Sequence, residues 1–169
     1  MFKAGDAVVH PIRGAGVIVD IVERRWRGEK TQYYRIDLLG QQGSSLMLPV
    51  KKAKTLGLRA AVSSPKLQHV WNVLDDAPDA LPKKHKNRYR MLDEKIHTGE
   101  VLQVAEALRD VAWRRYEEGR LTTRDKRMYE KGLALLAGEI AATEGIEIEE
   151  AEATIKSKLQ ESFAQENEG

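Results

Sequence analysis

The most constraining feature of this chain is a change of hydrophobic period near residue 64. Before it, apolar residues gather in short β-type runs punctuated by glycines. After it, they recur at helical spacing. Strands followed by helices define an α+β chain, with the sheet and the helices kept in separate layers or domains.

In the first part, Asp6 to His10 reads as a short strand, Pro11 to Gly16 as a turn, and Val17 to Val22 as a longer strand running on into charged residues. Gly28-Glu29 interrupts the next stretch, Gln32 to Leu38 resumes a β pattern, and Gly40-Gln41-Gln42-Gly43 turns into Ser44 to Pro49. This spacing predicts a small antiparallel barrel of SH3-like or Tudor-like size over 1–59. So small a barrel has little core of its own, and must close tightly or lean on the helical part.

The second part, 60–169, predicts about five helices. Ser64 is the expected cap of the first, with Pro65 at its first position and Leu67, Val70, Trp71 and Leu74 on one face. Asp75 to Pro82 breaks that helix, and Pro82 presets the next, which carries Lys83-Lys84-His85-Lys86-Asn87-Arg88-Tyr89-Arg90 and ends near Thr98-Gly99. Val101, Val104, Ala105, Leu108 and Ala112 mark a third helix. Thr122 and Asp125 form a capping box that opens a fourth, reaching about Thr143. After a stop at Gly145, Ile148, Ala151, Ile155, Leu159 and Phe163 define an acidic fifth helix expected to fray from Ala164 to Gly169.

Composition narrows the function classes. The 169 residues include no cysteine, which excludes a disulfide, a thiolate nucleophile and a zinc-thiolate site, and leaves the cytoplasm as the default compartment. No signal-peptide core and no apolar run of about 18 residues is present, so no membrane is expected. His10, His69, His85 and His97 form no two-ligand helical pair, and no phosphate loop or nucleophile elbow can be assembled. No metal, no cofactor and no catalytic residue is therefore predicted, and the chain does not read as an enzyme.

Net charge is only +2, but it is sorted: residues 1–59 hold 11 Lys and Arg against 5 Asp and Glu, whereas 144–169 hold 2 against 8. The basic run is the sharpest local signal. Lys83, Lys84 and Lys86 are expected in the first turn of a helix, where the macrodipole disfavours cations by a few tenths of a kcal/mol each. Broken local rules concentrate at functional sites, and Lys and Arg interleaved with His85 and Tyr89 suit phosphate and groove contacts. The bland alternative is a solvated helix end with Tyr89 turned into the core. Arg24-Arg25-Trp26-Arg27 has the composition of an interface hot spot, or of a charged edge that resists aggregation. Trp71 and Trp113, at helical positions, are expected to pack the core.

These residues resemble the CarD-like bacterial transcription regulators, whose N-terminal module is shared with the polymerase-interacting domain of the transcription-repair coupling factor. The resemblance rests on Phe2 to Asp6, Val8-Val9, Pro11 and Gly14, on Met47 to Val50, and on Gly57-Leu58-Arg59. The helical half adds Arg88-Tyr89, Val104-Ala105-Glu106 with Arg109-Asp110, and Asp125 to Met128 followed by Gly138-Glu139.

The resemblance implies a Tudor-like barrel that adds its edge strand to the β subunit of bacterial RNA polymerase. It also implies a helical domain that meets promoter DNA at the upstream edge of the bubble and holds the complex open, largely without reading sequence. Arg24 matches a family interface position, Met47 stands where members place Arg or an apolar residue, and Arg25 and Leu46 are their neighbours in the docking set. On the DNA side the implied contacts are His85, Lys86, Arg88, Arg90 and Lys126. His85 departs from the pattern, since relatives commonly carry Trp there as a wedge, and imidazole offers less flat apolar area. Two other readings stand beside this one: a protein adaptor on polymerase without a DNA wedge, and a barrel that binds nucleic acid directly. A monomer is the default expectation.

Overall fold

The computed structural model describes residues 1–40 and 43–168. The β part comprises β1 (Ala7–His10), β2 (Gly14–Trp26), β3 (Glu29–Leu38), β4 (Ser45–Pro49) and β5 (Arg59–Ala60), antiparallel throughout in the order β4-β3-β2-β1-β5. Three features differ from the pattern-based expectation, the first being that β3 starts at Glu29, three residues before the expected Gln32. β2 starts at Gly14, inside the expected turn, and β5 was not expected at all, because two residues leave no periodicity to detect. The expected turn at Gln41-Gln42 lies outside the described residues.

β2 and β3 form a hairpin through Arg27 and Gly28, whose φ values of 50° and 81° match the two left-handed positions of a type I′ turn. Pairing slips by one residue between Ile18 and Asp20, a bulge that bends β2. The first half of β2 pairs with β1, whereas its second half pairs with β3 alone and projects as a two-stranded ribbon. At Gly16 a Cβ would sit 2.6 Å from the carbonyl oxygen of Asp37 and 2.7 Å from Ile36 Cγ2, so only glycine fits there. The sheet curls around Val8, Ile18, Tyr34, Ile36, Leu38 and Leu48, closed below by Ala53 and Leu58.

Five helices follow: α1 (Ser64–Asp75), α2 (His85–His97), α3 (Val101–Glu118), α4 (Thr123–Glu144) and α5 (Ile148–Glu168). The cap of α1 is Ser63, one residue before the expected Ser64, so Pro65 falls at the second helical position. α5 runs helical to Glu168 rather than fraying from Ala164, while Gly169 lies outside the described residues. Glycines in the left-handed region close α3 at Gly119 and α4 at Gly145.

The helical core joins Leu67, Val70 and Leu74 of α1 to Val104 and Leu108 of α3, Leu136 and Ile140 of α4, and Ile155, Leu159 and Phe163 of α5. Trp71 and Trp113 are half-buried against it. A smaller cluster of Leu92, Ile96, Ala107, Val111 and Met128 seats α2. α4 is the axis of the molecule, packing on α3, α5 and the sheet; Gly138 stands against Ala15, two small residues that let helix and strand approach closely.

A polar clamp reinforces this seam. Arg59 of β5 donates through both terminal nitrogens to Glu139 of α4 at 2.7 Å, and through Nε and one Nη to the carbonyl of Gly99 at 3.2 and 2.8 Å. Glu139 also accepts from the backbone N–H of Val62, and the Thr143 hydroxyl donates to the Val62 carbonyl.

Candidate functional site

The basic run and the start of α4 lie side by side. α2 begins at His85 after Lys84, which is extended, so Lys83 and Lys84 precede the helix and Lys86 alone of the three lysines occupies its first turn. The inward stripe of α2 is Arg88, Leu92 and Ile96, at successive helical turns. An arginine thus occupies the first core position.

Arg88 is 1% exposed. Its Nε donates to both carboxylate oxygens of Asp125, at 3.1 and 3.0 Å, and one Nη donates to the carbonyls of Pro82 and Lys83 at 3.3 and 3.1 Å. Asp125, equally buried, sits in the first turn of α4, where its N–H donates to the Thr122 hydroxyl at 3.2 Å. That carboxylate also lies 3.4 Å from Nε of Arg114, off line for a hydrogen bond. One buried ion pair therefore ties the loop before α2, the start of α2 and the start of α4 together. This corrects the expectation for Arg88: its guanidinium is spent on Asp125 and the loop carbonyls, and does not face solvent as a phosphate contact would.

Outside that pair the surface is cationic. Lys83, Lys84, His85, Lys86 and Arg90 are exposed on one side, and Arg124, Lys126 and Arg127 on the other. The guanidinium of Arg124 lies over the ring of Tyr89, 4.4 Å from its centroid. Two helix N-termini thus converge under cations, although their dipoles favour anions. Both features together attract phosphate. Arg124 and Arg127 lie outside the contacts expected from sequence; the available signal for Arg124 is the same broken rule, a cation in the first turn of a helix, applied to α4.

The docking set lies on the sheet. β4 is an edge strand, paired with β3 on one side only. Residues opposite each other on antiparallel strands share a face, and successive residues alternate. Met47 pairs with Arg35, and Arg24 with Thr31, both odd-numbered positions of β3, so Arg24 and Met47 stand on one face with Tyr33 and Val22 between them. Leu46 pairs with Ile36 and packs against the sheet core, and Arg25 pairs with Lys30 on that same side. The four residues are therefore divided two and two. Beyond them Trp26, at the end of the ribbon, is 69% exposed.

Across the seam, His10 accepts through Nδ1 from the backbone N–H groups of Ile12 and Arg13, at 3.1 and 3.0 Å. Burial, and secondarily the nearby Arg13 cation, hold its pKa below the ordinary value. No helix is long and apolar enough to cross a membrane among the described residues.

A curled antiparallel sheet with β4 at one edge is thus clamped to a helical unit whose α2 and α4 starts carry exposed cations. The chain matches the CarD-like/TRCF RID domain over residues 2–62 and the CarD C-terminal domain over residues 69–156, and belongs to the CarD-like family of transcription factors. It is similar to YdeB of Bacillus subtilis (strain 168), named as a candidate transcription factor, at 31% identity over 146 residues, 86% of this chain and 94% of that protein.

Proposed function

We propose that this protein is a non-enzymatic regulator that docks on the β subunit of RNA polymerase and contacts promoter DNA at the upstream edge of the bubble, stabilising the open complex. Residues 1–59 form the docking unit and 60–169 the DNA-contacting unit. On the docking side, the open edge of β4 supplies main-chain groups for strand addition, with Arg24 and Met47 beside it. On the DNA side, Lys86, Arg90 and Lys126 contact phosphates, with His85 between them. Arg88 acts from beneath.

One observation carries the reading: the Arg88–Asp125 pair brings the exposed cations at the starts of α2 and α4 side by side. Such contacts carry charge and shape rather than a base code, so the effect spans promoters of different sequence. The protein acts as one copy per polymerase, in the cytoplasm.

The test is the lifetime of open complexes formed by the cognate polymerase after addition of a competitor. The protein is expected to lengthen it. Lys86→Glu with Arg90→Glu is expected to abolish the gain while polymerase binding persists. An unchanged lifetime despite confirmed binding would instead mark a pure adaptor, and DNA binding confined to residues 1–59 would mark the sheet as the nucleic-acid surface.

A further inference from the structure

Arg124 belongs to no expected set, yet its placement is the most specific on the cationic surface. It occupies the first turn of α4, where a cation opposes the helix dipole, next to Asp125, whose charge is already neutralised by Arg88. Arg124 is exposed, and none of the ion pairs among the described residues involves it. Its charge is unspent.

Its guanidinium is nonetheless held. It lies over Tyr89, 4.4 Å from the ring centroid, closer than the other two arginines that lie over aromatic rings, at 5.4 and 5.8 Å. Tyr89 is itself half-buried against Leu92, Ile96 and Met128, which anchors the ring. His85 stands four residues earlier on α2, one turn toward its start and on the same face. The result is an exposed cation seated over an anchored ring, among lysines.

A guanidinium is planar and offers a π-stacking surface as well as charge, which a lysine does not. Nucleobases stack on such planes when they are out of the duplex, and are unavailable when paired. We infer that Arg124, backed by Tyr89, is a stacking site for an unpaired nucleobase. It gives the cationic surface a preference for DNA at a paired-to-unpaired junction over continuous duplex. The inference rests on the reading above that this surface meets DNA, and assigns the flat contact to Arg124 rather than to His85 alone.

The test compares two DNAs of equal length by fluorescence anisotropy with the full chain at low salt: a blunt duplex, and a fork with unpaired bases at one end. Wild type is expected to bind the fork on the order of tenfold more tightly. Arg124→Lys, which keeps the charge and loses the plane, is expected to bind the blunt duplex as wild type does and to lose the preference. Lys86→Glu with Arg90→Glu is expected to weaken both DNAs alike and keep the ratio. Equal binding of fork and duplex by wild type, or a preference retained in Arg124→Lys, would overturn the inference and leave phosphate contact standing. Failure of wild type to bind either DNA would overturn the DNA reading and the inference together.

Discussion

Arg59 and Glu139 meet through two hydrogen bonds of 2.7 Å, although 80 positions separate them in the chain. The glutamate is 4% exposed in its side chain and the arginine 34%, so the pair lies at the rim of the seam between sheet and helices. The same glutamate holds Val62 N–H, which starts the connection into α1. One carboxylate thus fixes both sides of the joint.

Replacing Glu139 with Ala is expected to destabilise the fold by about 2–4 kcal/mol, below a fully buried pair because water reaches Arg59. Urea unfolding would measure it. A change under about 0.5 kcal/mol would mean that the apolar seam alone holds the joint.

The Arg88–Asp125 pair is fully buried, and either single alanine variant leaves one charge without its partner. Each is expected to cost about 3–5 kcal/mol. In the double variant the losses are expected to be strongly sub-additive, since the second removal takes away a charge that is already unpaired. Additive losses in thermal unfolding would contradict direct coupling.

The two faces of the ribbon separate the docking candidates. Arg24→Glu and Met47→Glu are expected to weaken polymerase binding on the order of tenfold each, with the fold intact. Arg25→Glu, on the opposite face, is expected to have a smaller effect. Leu46→Ala, whose side chain packs inside, is expected to lower stability rather than intrinsic affinity. A larger loss for Arg25 than for Arg24 would invert the assignment.

His10 carries a pH dependence with a defined sign. Its folded pKa lies below the ordinary 6.5, first through burial and then through Arg13. The folded chain therefore takes up this proton less readily than the unfolded chain. The contribution is intact above 6.5 and is lost as the pH falls below that value toward the folded one. Between about pH 7.5 and 5, thermal stability is expected to drop less in His10→Asn, whose amide oxygen can accept the same N–H groups without titrating. An equal drop in both proteins would show that other groups set the dependence.

The basic run stood out in the sequence because it violated a local rule, and the family resemblance gave that violation a partner. Its internal division did not show. Lys86, Arg88 and Arg90 look alike in a string. Burial separates them, because position 88 begins the stripe continued by Leu92 and Ile96, and a buried arginine is tolerated there only where Asp125 stands opposite. Arg124 and Arg127, which join Lys126 on the same surface, are legible as cations near a helix start, but the capping box and the family motif that surround them do not single them out as contacts.

By itself the sequence determined what is local or periodic. The strand-to-helix order follows from a period of two giving way to one of 3.6, and the two ends of α4 follow from Thr122 and Gly145. The tertiary structure decided what depends on contacts between distant segments. These are the pairing of β5 with β1, the clamp from Arg59 to Glu139, and the meeting of α2 with α4 through Arg88 and Asp125. Each of these joins residues tens of positions apart, and no single-segment pattern records which charge will find which partner once the core between them has closed.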